Sequence, residues 1–282
     1  MVIESTSVAG LYTMLVLAED PQQPSIEPES GPNSGGPGVR PFLGLVLFCS
    51  MFASAILTHP LYSAPQGCTS RYTLYSHPEE LSIQIDGKAD EAIWQTSPVE
   101  TSFSFPWDSR EAPTTSFRAL LGRSHLYLFF SAFDDTLLDL RGSEEHLVAS
   151  GDRMEVFFSL DSELSQYFCL EISPSSRLLD YKASYYRNFQ TEWDFPGLRV
   201  AATESHNKYA VEVAIPLSVL LELGFPKPVP GPWIITGLFR ADFVQTSAGV
   251  EENWISWCSP TTDHPDFHVP SAFGFLEISP IE

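Results

Sequence analysis

Arg153 and Glu155 stand two residues apart in the stretch Gly151 to Phe158, GDRMEVFF. If that stretch is a strand, alternation puts Arg153, Glu155, Phe157 and Ser159 on one face and Met154, Val156, Phe158 and Leu160 on the other. The same spacing recurs further on, where Arg240 and Asp242 alternate with Phe239, Ala241 and Phe243, and Glu212 lies between Ala210 and Ala214. Each strand then has a core face and a face with charges at mid-strand. One reading is a solvated outer sheet. The sharper one is a saccharide surface, because pyranose rings pack their C–H faces on aromatic rings while their hydroxyls seek planar, two-pronged partners such as Arg, Asp and Glu. Trp107, Trp193, Trp254 and Trp257 fall in or beside predicted loops, where each is either a platform or a lid on the core.

Other chemistry is also conceivable from these residue types. Glu155 with Glu171 or Glu212 would supply the two carboxylates of a glycoside hydrolase, their separation setting retention or inversion. Nothing in the sequence marks one of them as protonated and another as ionised. Asp134 and Asp135 follow a strand, with Asp139 close behind, and offer hard oxygen ligands to calcium, although their spacing is not that of an EF-hand. His264 and His268, in HPDFH, adjoin Pro265, which argues against a helix presenting both to zinc and for a turn. A haem-carrying sandwich of the DOMON type would need Met154 and a His as axial ligands, yet Met154 alternates with core residues.

The elements that must position these groups are short apolar runs separated by turn signals, the texture of an all-β domain. Strands are predicted near 81–86, 99–106, 115–122, 125–133, 152–160, 166–173, 177–183, 197–204, 208–215, 233–243 and 271–278. One short helix is predicted over 216–223, PLSVLLEL, opened by Pro216 and closed by Gly224. No internal repeat or second boundary appears, so residues 78–282 read as one domain. At its start, IDGKADEAIW, Gly87 suits a positive-φ turn, Asp86 and Asp90 suit turn caps, and Trp94 is expected to plug one end of a sandwich.

Upstream the texture is different. Residues 1–41 contain a Pro-, Gly- and Ser-rich stretch that buries too little apolar surface to offset its ordering entropy, and are read as a disordered extension. Phe42 to Thr58 is nearly uncharged, so 42–68 reads as a signal peptide or a membrane anchor, which implies an extracytoplasmic domain. Gly67-Cys68 partly matches a lipid-attachment site, the alternative being a free or disulfide-bonded Cys68. Downstream, export would allow Cys169 and Cys258 to pair. The net charge is −21 and no basic stripe of five or six residues exists, which excludes the usual nucleic-acid binder. Residues 1–68 hold five acids and Arg40, so most of that charge belongs to the folded part.

Several landmarks occur in an informative order: Ile85-Asp86-Gly87 with Asp90, Glu91 and Trp94, then Leu126-Tyr127, Asp152 with Glu155, and Glu212-Val-Ala-Ile215-Pro216. Trp233, Gly237, Arg240, Trp257, Phe267-His268-Val-Pro270 and Phe273-Gly274 complete the series. Together they resemble family 9 carbohydrate-binding modules over about 200 residues. The resemblance implies a two-sheet antiparallel β-sandwich with jelly-roll-like connections, a saccharide ligand, no catalysis of its own, and association with a separate catalytic partner in carbohydrate breakdown. It also implies a two-Trp clamp, but the stretch before Asp152, RGSEEHLVAS, has no Trp where the first ring belongs. Trp107, Trp193 and Trp257 remain as ring candidates, with Arg153, Glu155 and Arg240 as hydroxyl partners.

Overall fold

The computed structural model describes residues 68–281 apart from Arg141 and Ser143, so the expectations for residues 1–67 lie outside the described part. In chain order the regular elements are β1 (Arg71–Ser76), β2 (Thr115–Leu121), β3 (His125–Phe133), β4 (Arg153–Ser159), β5 (Tyr167–Ile172), β6 (Leu178–Ser184), β7 (Asn188–Gln190), β8 (Arg199–Ser205) and β9 (Lys208–Pro216). Helix α1 (Leu217–Glu222) follows, then β10 (Gly231–Thr246), β11 (Gly249–Ser256) and β12 (Gly274–Pro280). The strands hydrogen-bond in the order β7-β6-β5-β4-β10-β12-β1-β2-β3-β9-β8, with β11 also on β10. Pairing is antiparallel except where β1 runs parallel to both β12 and β2, which joins the two layers into one curled sheet. No helix among the described residues is long and apolar enough to cross a membrane.

The main core lies between the layers, with Leu128 and Val213 from one side and Val156 and Leu170 from the other. Alternation along the same strands builds two further clusters on the outer faces. Phe157, Tyr167, Phe239, Phe267 and Phe273 cover the β4–β5–β10 side, while Ile83, Trp94, Leu120, Tyr127 and Ala214 cover the β2–β3–β9 side. β4, β5, β9 and β10 therefore do not pair a core face with a solvated one. β4 is buried along its whole length. Trp94 is fully buried on an outer face rather than at an end of the sandwich.

Two predicted strands are not strands, each for its own reason. In 81–86 the backbone donors are taken by side chains: Gln84 N–H donates to Glu91 Oε1 at 2.8 Å, and Asp86 and Gly87 N–H donate to Glu212 Oε2 at 2.9 and 3.0 Å. Within 99–106 only isolated bridges form, Glu100 with Phe117 and Ser104 with Ser256, between the flanking prolines Pro98 and Pro106 that cannot donate to a ladder. Gly87 is required twice over: its φ is +83°, and a Cβ there would lie 2.7 Å from the Ala202 carbonyl carbon. Gly274 is required by contact alone, since a Cβ would sit 2.7 Å from the Trp257 ring and 2.6 Å from Ser70 O.

Cys68 is disulfide-bonded to Cys258, 190 residues away, and Cys169 is free and buried. Of the alternatives open for Cys68, the disulfide is the one found. The Cys68 sulfur is committed to a disulfide and is not available for a lipid thioether, and Cys258 pairs with Cys68 instead of Cys169. Closing so long a loop restricts the unfolded chain by about 5 kcal/mol in a chain-entropy account.

Candidate functional site

Strand register settles where the predicted charges go. Arg153 is opposite Ala241, and Glu155 is opposite both Phe239 and Glu171, so all three charges share the outer face of β4 and β5. Arg153 Nε donates to Glu171 Oε2 at 2.6 Å, and Nη1 donates to the Ala149 and Gly151 carbonyls at 3.2 Å each. Its Nη2 lies 2.9 Å from Glu155 Oε1, a charge contact without the alignment of a hydrogen bond. Tyr181 Oη donates to Glu171 Oε1 at 2.8 Å. Aromatic rings close over the group: the guanidinium lies 5.5 Å from the Phe243 ring and 5.3 Å from Trp254, and His268 stacks on Phe157 while its Nδ1 meets Tyr167 Oη at 3.0 Å. Burial, followed by the Glu171 charge, pushes the Glu155 carboxyl up to about 8.

Arg240 is opposite Met154 in the same register, which turns it to the other face of the sheet, toward the inter-layer core. The three charged side chains expected to share a surface are thus split across a sheet, and none offers its head group to solvent. Arg240 Nη2 donates to Asp134 Oδ2 at 3.1 Å and Asp242 Oδ1 at 2.5 Å, Nη1 donates to Thr115 Oγ1 at 3.3 Å, and the guanidinium lies 5.7 Å from the Tyr209 ring. Asp152 completes the cluster, its carboxylate accepting from the backbone N–H of Phe243 at 2.6 Å and of Leu138. Burial, then the neighbouring Asp134 charge, raises Asp152 to about 7.

Above this second cluster is an open cleft of about 290 Å³ between the 105–113 loop, the end of β3 and the β10–β11 hairpin. Asp134 and Asp242 form its floor, and Phe105, Arg110, Glu111, Phe133, Asp135 and Asn253 contribute to its walls. Arg110 is held in place over the Phe105 ring at 5.3 Å, donating to Asp108 Oδ2 at 2.5 Å, Glu251 Oε1 at 3.0 Å and Asn253 Oδ1 at 2.7 Å. An aromatic wall beside fixed, planar polar groups is what a polyhydroxylated ring needs.

The tryptophans are placed apart. Trp193 packs on Phe168 and Phe195 in the main core, whereas Trp107 packs on Phe267 across the sheet, with Nε1 donating to Thr262 O at 2.9 Å. Trp257 is buried in the main core against Gly274. Among the remaining candidates, Met154 is buried in that core, His268 is buried beside Tyr167, and Glu212 holds the Asp86–Gly87 turn. For calcium, Asp134 joins Asp152 and Asp242 while Asp135 stays exposed at the cleft rim. Arg240 already neutralises two of those carboxylates and backbone amides hold the third, so the donor set does not fit a hard cation.

Sequence reasoning missed Asn253 and Glu251 because β11, GVEENWIS, lacks apolar alternation, and Arg110 because it lies on an irregular loop. The available signal was the turn Thr246 to Gly249 directly after a long apolar strand, which marks a hairpin.

Comparison with known proteins agrees with this architecture. A crystal structure from Bacteroides uniformis ATCC 8492, of a protein with a proposed carbohydrate-binding role, is similar to this chain at a TM-score of 0.60 and 14% identity, covering 75% of this chain and 100% of that one. A family 9 carbohydrate binding module from Caldicellulosiruptor kristjanssonii in complex with cellotriose is similar at a TM-score of 0.50 and 17% identity, covering 76% and 95% of the two chains. No curated protein matches the chain. Residues 85–279 match the family described as "Carbohydrate family 9 binding domain-like", and the chain belongs to that family.

Proposed function

We propose that the protein is an exported, noncatalytic carbohydrate-binding module that takes a saccharide in the cleft beside Arg110. The observation that carries this is the cleft itself, where the Phe105 and Phe133 rings stand next to an oriented guanidinium, carboxylates and the Asn253 amide in a chain of this family. The loop carrying Trp107 forms one wall. Export is supported by the Cys68–Cys258 disulfide, a bond that persists in oxidising compartments. The chain ahead of Cys68 then serves as cleaved signal or membrane anchor. A separate catalytic protein would do the hydrolysis, because the buried glutamates of this domain are engaged: Glu155 and Glu171 share Arg153, and Glu212 holds a turn.

Calorimetric titration of the full-length chain with cellotriose and xylotriose tests the reading. Binding with a dissociation constant at or below about 1 mM is expected, weakened about tenfold by Arg110→Ala. No heat with either sugar, on a folded protein, removes the assignment.

A further inference from the structure

The three tryptophans nominated as sugar platforms are packed into clusters, which leaves the platform role open. The aromatic side chains most exposed among the described residues are two tyrosines at the tip of the β6–β7 hairpin, Tyr185 at 54% and Tyr186 at 51%. Their rings meet edge to face at 5.3 Å and 65°, forming a corner. The corner is held from below by Asp266, whose side chain is buried. Tyr186 Oη donates to Asp266 Oδ2 at 2.7 Å, Arg187 Nη1 donates to Oδ1 at 2.9 Å, and the His268 N–H donates to the same Oδ1 at 2.9 Å. Arg187, at φ +56°, adopts a conformation that most side chains avoid, and its guanidinium is fixed over Phe189 at 5.5 Å. A buried carboxylate that fixes an exposed aromatic pair and an arginine pre-orders a surface, which lowers the entropy lost when something stacks on it.

We infer that Tyr185 and Tyr186, supported by Arg187 and Asp266, form a second saccharide contact, an aromatic platform for a pyranose ring of a neutral glycan chain. The inference rests on the carbohydrate reading above but not on the cleft. Register puts the two places far apart: the hairpin follows the Ala183–Tyr167–Ser159 end of the strands, while the cleft lies at the Arg153–Ala241 end, and β6 is three strands from β10. At strand spacings of about 4.8 Å and rises of about 3.3 Å per residue, the separation exceeds roughly 20 Å. One short oligosaccharide does not reach both, so the pair suits a polymer, where the second contact acts at a raised effective concentration.

Affinity electrophoresis of the full-length chain in gels containing soluble xylan or hydroxyethyl cellulose tests this. Tyr185→Ala and Tyr186→Ala together are expected to weaken retardation about tenfold, the loss typical of removing an aromatic anchor, while Tyr185→Phe keeps it because the ring remains. Asp266 keeps the Arg187 and His268 donors in the double variant, and circular dichroism verifies that it folds. If the wild-type chain is retarded and the double variant is retarded equally, the platform is wrong and the module assignment stands. If the wild-type chain is retarded by neither polymer and binds neither trisaccharide, both fall together.

Discussion

Arg153 on β4 and Arg240 on β10 occupy neighbouring strands of one sheet, both are buried, and both are surrounded by carboxylates, yet they play different parts because they face opposite ways. Arg153 serves two glutamates under a lid of aromatic rings, so its charges are sealed and its face is core. Arg240 stands among three aspartates, two of which reach the floor of an open cleft. A mid-strand charge therefore says little about whether its face is wet. What decides is the loop that comes to lie over it.

The comparison can be broken most directly by removing each arginine. Arg240→Met strands the buried Asp134 and Asp242 carboxylates and is expected to cost about 3–5 kcal/mol in urea unfolding at pH 7. Arg153→Met should cost less, because it strands two carboxyls of which one already holds a proton near neutrality. The reverse order would overturn the comparison. A smaller effect is expected from pH. Burial raises Asp152 from 3.8 to about 7 and Glu155 from 4.5 to about 8, so between the ordinary and raised values the folded protein binds more protons than the unfolded chain. That stabilisation is fully present below the ordinary values and is lost as pH climbs through the raised ones. Unfolding free energy should fall by roughly 2–3 kcal/mol per pH unit between pH 5 and 7, about 1.4 from each group, and Asp152→Asn should remove about half of that slope. A profile that rises over this range would contradict both assignments. The mildest change is Glu155→Gln, which replaces a largely protonated carboxyl by an amide of its shape and should move stability at pH 7 by less than about 1 kcal/mol.

The strands that carry the sheet were legible because their apolar alternation is strong, as in β3, β9 and β10, and so was α1 between Pro216 and Gly224. The landmark pair of an Ile-Asp-Gly turn and a glutamate more than a hundred residues later was legible as order, and the structure supplies its cause: Glu212 accepts the turn's two N–H groups. What alternation could not reveal is that both faces of the strands are covered. Arg153, Glu155 and Arg240 looked like ligand groups because period two separates faces without saying what lies beyond them. The cleft was hidden for a related reason, since Arg110, Phe133 and Asn253 come from three distant segments brought together only by the β10–β11 pairing and the chain's return over it. Tyr185 and Tyr186 stood in plain sight as adjacent aromatics, but their support, Asp266, is some eighty residues away.

The position of the Cys68–Cys258 link has a mechanical consequence. β1 begins three residues after Cys68 and lies between β12 and β2, where its hydrogen bonds are the seam that joins the two layers. A load applied to the chain ahead of Cys68, as by a tether or a moving surface, enters the fold through a covalent bond at Cys258. It bypasses β1 and leaves the seam slack, so the strand nearest the point of attachment is not the first to be peeled away.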